Sequence, residues 1–235
     1  MPPEIVVGSP STLAMRLAAV VLDDGARAVS ARGGFAIALP GGSVATTFFP
    51  GLARLAFDWT RTDFFWGDER AVPPQHPDSN YGLARPLWLD PAGVPAERIH
   101  RMRAEAMDLD TAARDYEGEL RRALGPGRGL DLVLLGVGED GHVCSLFPGH
   151  AALGETQRAA LAIEDAPKPP PRRLTLTLPV LFAAERVVVA AAGRGKARAL
   201  REALDDPEST LPIARVARHA RNVVFLLDPE AAGPR

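Results

Sequence analysis

His142 is the residue whose chemistry is easiest to name. It closes Gly136-Val-Gly-Glu-Asp-Gly-His142, a glycine-rich run just past the apolar stretch 130–135. Imidazole titrates near neutrality, so it can take a proton from water and return it to a departing alkoxide. Asp140, two residues earlier, or another nearby carboxylate can orient the ring. The alternative is a structural histidine. A glycine-flexed loop beyond a buried strand favours the chemical reading.

Two further runs stand in the same relation to apolar stretches. Pro40-Gly41-Gly42-Ser43 follows 35–39, and Gly67-Asp68-Glu69-Arg70 follows 63–66. Glycines let backbone approach an anion, and a helix beginning there adds unpaired amides and a positive dipole end. Ser43 adds a hydroxyl, so this turn suits a phosphate monoester; the alternative is a plain turn with Ser43 as N-cap. Arg70 can grip a phosphate or carboxylate as a two-pronged donor, and Asp68 can orient a hydroxyl or fix a tautomer. The alternative is a solvated charged turn.

Several look-alikes fail on context. Gly136 to Gly141 fits G-x-G-x-x-G, but Phe147-Pro148-Gly149 stops any long helix, and Glu139 and Asp140 would oppose a pyrophosphate. Asp140, His142, Cys144 and His150 match no familiar zinc spacing, so no metal is expected. Cys144 as a nucleophile with His142 is disfavoured, because side chains two residues apart diverge and a lone buried cysteine usually packs as a small apolar residue. Gly193-Arg-Gly-Lys196 lacks the Ser or Thr of a P-loop, yet Lys196 can clamp a phosphate as a point charge; a helix start is the alternative. Among 27 basic residues only Lys168 and Lys196 are lysines, which points either to tasks that arginine's broad fork cannot do or to coding bias. Arg172-Arg173 supplies further positive charge or a solvated pair.

The elements that must hold these loops alternate between short β-rich runs and helical stretches. Strands are expected at 5–8, 35–39, 63–66, 130–135, 174–178, 186–192 and 222–227. Helices are expected at about 10–29, 44–56, 108–124, 179–184 and 196–204, with another start at Ser79-Asn80. Loops fill 67–70 and 72–78, and Lys168-Pro-Pro-Pro171 reads as a stiff extended connector. This pattern predicts one α/β domain over residues 1–235, a largely parallel, doubly wound sheet with helices on both faces. The three loops then share the edge where such sheets bind ligands.

The bulk numbers agree with that class. The 235 residues are 46% hydrophobic and 24% charged, enough for a full core. The net charge of −2 gives no general attraction to nucleic acid or acidic membranes. No apolar run approaches the roughly 20 residues needed to cross a bilayer. Met1-Pro-Pro-Glu-Ile-Val-Val shows no leader pattern, and Cys144, the single cysteine, cannot form an intrachain disulfide, so a cytoplasmic location is expected.

Taken in order, the motifs closely resemble the 6-phosphogluconolactonase family. The most specific stretch is Gly136-Val-Gly-Glu-Asp-Gly-His-Val-Cys-Ser-Leu-Phe-Pro148. Gly41-Gly42-Ser43, Asp68-Glu69-Arg70-Ala-Val72 with Ser79-Asn80, Arg173-Leu-Thr-Leu-Thr177 and Gly193 to Lys196 support it. The resemblance implies a Rossmann-like sugar-phosphate isomerase fold and hydrolysis of 6-phospho-D-glucono-1,5-lactone in the oxidative pentose phosphate pathway. It implies His142 as general base assisted by Asp140 or Asp68, with Gly41, Gly42, Ser43, Arg70 and Lys196 holding substrate or phosphate. Asn80 and Arg173 are further candidates for that site. No cofactor is implied, and the expected partner is the small-molecule lactone alone, with no obligate protein partner. The chain also looks like glucosamine-6-phosphate deaminase, but that enzyme's acid-bearing loop segment is replaced here by Ser145-Leu-Phe-Pro148. A sugar-phosphate sensor is a third reading. It would usually carry a helix-turn-helix module, for which no room remains.

Overall fold

Ser9 and Pro10 start the first long helix for the reasons their types suggest. The Ser9 side chain accepts from the Thr12 amide, and Pro10 needs no amide partner at the head of α1 (Pro10–Arg32). Gly33, at φ +78°, closes it with a left-handed cap. In this computed structural model, which describes residues 2–233, α1 links β1 (Glu4–Val7) to β2 (Phe35–Leu39). The chain continues through α2 (Gly42–Leu52), β3 (Thr62–Trp66), β4 (Asp68–Arg70), α3 (Asn80–Ala84), α4 (Leu109–Leu124) and β5 (Leu132–Leu135). The second half runs β6 (Ala160–Ile163), β7 (Arg173–Leu176), α5 (Leu178–Ala183), β8 (Arg186–Ala191), α6 (Ala197–Asp205), α7 (Pro212–His219), β9 (Val223–Leu227) and α8 (Pro229–Ala232).

Six strands form one sheet in the order β1-β9-β8-β5-β2-β3, and every pairing is parallel. All residues of β2, β5 and β9 are buried. Strands covered on both faces need no polar alternation, which is why they read as continuous apolar runs. From β2 the chain steps outward to β3, whereas from β5 it steps the other way through β8 to β9. The winding therefore reverses between β2 and β5, and their carboxyl ends flank the crevice where such sheets take ligands.

Residues 67–70, expected as a loop, are only partly so. After Gly67 the chain forms β4, antiparallel to β7, with Asp68 opposite Thr175 and Arg70 opposite Arg173. β7 pairs in turn with β6, making a small three-stranded antiparallel sheet. Neither β6 nor α7 was expected from the sequence. Lys168-Pro-Pro-Pro171 is the turn joining antiparallel β6 and β7, not a linker between distant elements, and the Ala166 amide donates to the Pro171 carbonyl across it. A strand as short as Asp-Glu-Arg has no periodicity to read; partners far along the chain decide it.

Candidate active site

The loop after β5 is shaped by its glycines. The Gly138 amide donates to the His142 carbonyl at 2.9 Å, and the Gly141 amide to the Gly138 carbonyl at 3.0 Å. Gly141 sits at φ +82°, a region that favours glycine. This turn brings His142 Nδ1 to 2.5 Å from Asp140 Oδ1. A Cβ on Gly138 would overlap both of those atoms. The glycines serve a histidine–aspartate pair, and no long helix starts here to complete a dinucleotide site.

The His142 ring leans on Phe147 with centroids 4.6 Å apart and is mostly buried. Burial lowers its pKa; the Asp140 hydrogen bond and charge oppose that, Lys168 adds to it, and Asp68 opposes it. The net shift is downward, so the ring is neutral near pH 7. Burial works against the Asp140 charge, but His142 and Lys168 outweigh it and bring that carboxyl to about 2. With Nδ1 engaged by an ionised carboxylate, Nε2 is the nitrogen left for chemistry. It has no hydrogen-bond partner among the described residues.

Asp68 is buried at the start of β4 and is fully engaged. Its Oδ1 accepts from Asn80 Nδ2 at 3.0 Å and its Oδ2 from Ser145 Oγ at 2.7 Å, with Arg173 Nη1 3.8 Å away. It acts on His142 through its charge and makes no hydrogen bond to it. Neighbouring Glu69 is structural: its carboxylate accepts from the amides of Arg70, Asn80 and Tyr81 and from Ser79 Oγ. Burial raises its pKa, and those four donors pull it back part of the way. Arg70 lines the crevice, donating from Nη1 to the Asp78 carbonyl while its buried Nε has no protein partner.

Asn80 does not reach the crevice. It is 1% exposed, bonded to Asp68, and pressed so closely on Gly41 that a Cβ there would overlap its amide. It braces the phosphate-type turn from behind. Arg173 lines the crevice but spends its donors elsewhere: Nε on the Pro170 carbonyl, Nη2 on those of Lys168 and Pro169. Sequence reasoning did not place Lys168 here. Its Nζ lies 3.2 Å from Asp140 Oδ1 and 3.5 Å from His142 Nδ1. The available signal was compositional, one of two lysines in an arginine-rich chain.

α2 begins at Gly42, earlier than the expected Val44, so Ser43 lies inside the first turn instead of capping it. Gly42 adopts φ +61°, and no side chain caps the helix, leaving its first amides open to the crevice. Lys196, at the end of a 3-10 turn after β8, lines the opposite side and has no ion pair among the described residues. One crevice of about 360 Å³ thus collects Gly41, Gly42, Ser43, Asp68, Arg70 and His142, together with Arg173 and Lys196. Asp140 touches it only through the ring. No cluster of three or more His, Cys, Asp or Glu side chains suited to a metal occurs among the described residues. Cys144 faces Gly67, and burial, aided by the Asp68 charge, pushes its thiol up.

A parallel α/β sheet with a histidine–carboxylate pair at its reversal point, facing a glycine-serine helix start and cations, is the arrangement of an enzyme that holds an anionic ligand beside a base. Residues 8–225 match the family described as glucosamine-6-phosphate isomerases/6-phosphogluconolactonase, and the chain belongs to that family. It is 40% identical to 6-phosphogluconolactonase of Rattus norvegicus, over 97% of this chain and 91% of the relative. It is 41% identical to the Homo sapiens 6-phosphogluconolactonase, over 86% and 81%. The solved structure of 6-phosphogluconolactonase from Trypanosoma cruzi superposes with a TM-score of 0.86 at 29% identity, covering 98% of this chain and 96% of the other.

Proposed function

We infer that this chain is a carboxylic ester hydrolase that opens 6-phospho-D-glucono-1,5-lactone to 6-phosphogluconate, a step of the oxidative pentose phosphate pathway. The observation that carries the mechanism is the His142–Asp140 pair, which leaves Nε2 unengaged in a crevice lined by cations. The names of the relatives support the substrate. The lone cysteine fits a reducing cytoplasm, and no helix among the described residues is long and apolar enough to cross a membrane.

The 6-phosphate is held by the first amides of α2 at Gly42 and Ser43, by Arg70 and by Lys196, with Gly41 permitting close approach. Anchoring the far end of the ligand places the ring carbonyl near His142 and removes much of the entropy cost of approach. Nε2 takes a proton from water as its oxygen bonds to the carbonyl carbon. The carbonyl π pair moves onto oxygen, steadied by backbone amides or Arg70. As that pair returns, the C1 bond to the ring oxygen breaks, and the imidazolium, stabilised by ionised Asp140, delivers its proton there. Asp68 assists through its charge and by fixing Ser145 and Arg173.

The deaminase reading is disfavoured by Ser145-Leu-Phe-Pro148, which has no acid where that enzyme's loop carries one. Ser145 is fully buried and donates to Asp68, and Phe147 packs against His142. The test is proton release from freshly generated 6-phosphogluconolactone, with and without chelator, beside ammonia release from glucosamine 6-phosphate. Rapid, chelator-insensitive proton release with no ammonia is expected. Ammonia release would overturn the reading in favour of the deaminase, binding without turnover would make the chain a sensor, and chelator-sensitive turnover would remove the metal-free mechanism.

A further inference from the structure

We propose that Lys168 is a positioning residue for this reaction: its ammonium, presented by the β6–β7 turn, shares the Asp140 carboxylate with His142 and sets the pH range in which the ring acts as a base. The proposal rests on the reading of His142 as the base. Asp140 Oδ1 receives both neighbours at once, His142 Nδ1 at 2.5 Å and Lys168 Nζ at 3.2 Å, with the two nitrogens 3.5 Å apart. The carboxylate is therefore the hub of a three-member cluster.

The mount for that ammonium is built with unusual outlay for a turn. Arg173 is 4% exposed, and its Nε and Nη2 donate to three consecutive carbonyls, Lys168 at 2.9 Å, Pro169 at 3.2 Å and Pro170 at 2.8 Å. The same guanidinium lies 5.6 Å over the Phe147 ring, against which His142 also packs. Buried polar donors spent on loop carbonyls hold a loop in one place. Lysine suits the position, since a compact point charge can sit beside one carboxylate oxygen without a fork spanning both.

The charges facing His142 come from three elements. Asp140, on its own loop, and Asp68, on β4, favour the protonated ring; Lys168, on the β6–β7 turn, opposes it. Arg70, Glu139, Lys196 and Arg173 line the same crevice, Arg173 with its guanidinium over the Phe147 ring. Without Lys168 only burial opposes the two carboxylates, so the ring holds its proton to higher pH and a smaller fraction of it is free to act as a base near neutrality.

Lys168→Met keeps the stem and removes the charge, and Lys168→Arg restores it; the side chain is 44% exposed, so both are accommodated. In an NMR titration of the ring nitrogens, with His142 assigned by its absence in His142→Gln, Lys168→Met is expected to titrate about one pH unit higher than the parent. The acid limb of kcat/KM for the lactone should move with it, KM should change by no more than roughly twofold, and Lys168→Arg should return both the ring titration and the limb toward the parent. An unmoved ring titration overturns the proposal. So does a KM raised about tenfold with the limb in place, which would make the ammonium a substrate ligand. The titration needs no substrate, so a chain without lactonase activity would sink the proposed function while Lys168 could still be judged.

Discussion

At the scale of single residues, the site separates groups that act from groups that hold. His142→Ala should reduce turnover by about 10²–10⁴-fold, the usual contribution of a general base, with product binding largely kept; steady-state rates and product titration check both. Turnover like the parent's would remove His142 from the mechanism. Because burial carries the ring's pKa below its ordinary value, the acid limb of kcat/KM should fall below the free-imidazole value of about 6.5. A pH–rate profile breaking above that value would contradict the assignment. Arg70→Ala and Lys196→Ala should chiefly raise KM, since groups that hold the phosphate act on ground and transition state alike.

At the scale of elements, the glycines at the strand ends carry distinct burdens. Gly138 has no room for a methyl group, because Asp140 and His142 occupy that space. Gly138→Ala should therefore part the pair, costing about 1–3 kcal/mol in stability, as forced overpacking does, and lowering kcat far more than a melting curve would suggest. Gly42 is the opposite case. A methyl there meets nothing within 4 Å, but φ is +61°, so Gly42→Ala adds only backbone strain of about 1–2 kcal/mol. A higher KM with unchanged kcat is the expected result, and an unchanged KM would separate this turn from phosphate binding.

At the scale of the whole molecule, the pair at the crevice links function to acid stability. The Asp140 carboxyl lies at about 2 in the fold and at 3.8 ordinarily, so its contribution is present above 3.8 and lost as pH falls through 3.8 toward 2. Asp140→Asn should remove that acid fall, measured by denaturant unfolding, by lowering stability at neutral pH while leaving the value near pH 2 little changed. Glu69 has the opposite sign: its raised pKa means ionisation opposes folding above the ordinary value of 4.5, where its four donors offset the burial of its charge. The parallel sheet and its crevice were legible because β2, β3, β5, β8 and β9 are buried, β-rich runs, each followed by its own punctuation. The small sheet of β4, β7 and β6 was not, since it depends on Asp68 and Arg70 meeting residues about a hundred positions later.

The chain by itself determined which side chains could do the chemistry and which loop ends would carry them, because residue type sets pKa range and donor geometry, and apolar runs set strands. It named Asp140 and Asp68 as candidates to orient His142 without choosing between them, and the glycine-shaped turn of the folded loop is what brings Asp140 to the ring. Only the folded molecule decided that Lys168 would join them, that Arg173 would serve as its mount, and that Asn80 would brace a turn from behind. Those outcomes depend on where β6 and β7 lie against β4, and pairings between distant segments are won by the total packing of the molecule, which no short window of residues encodes.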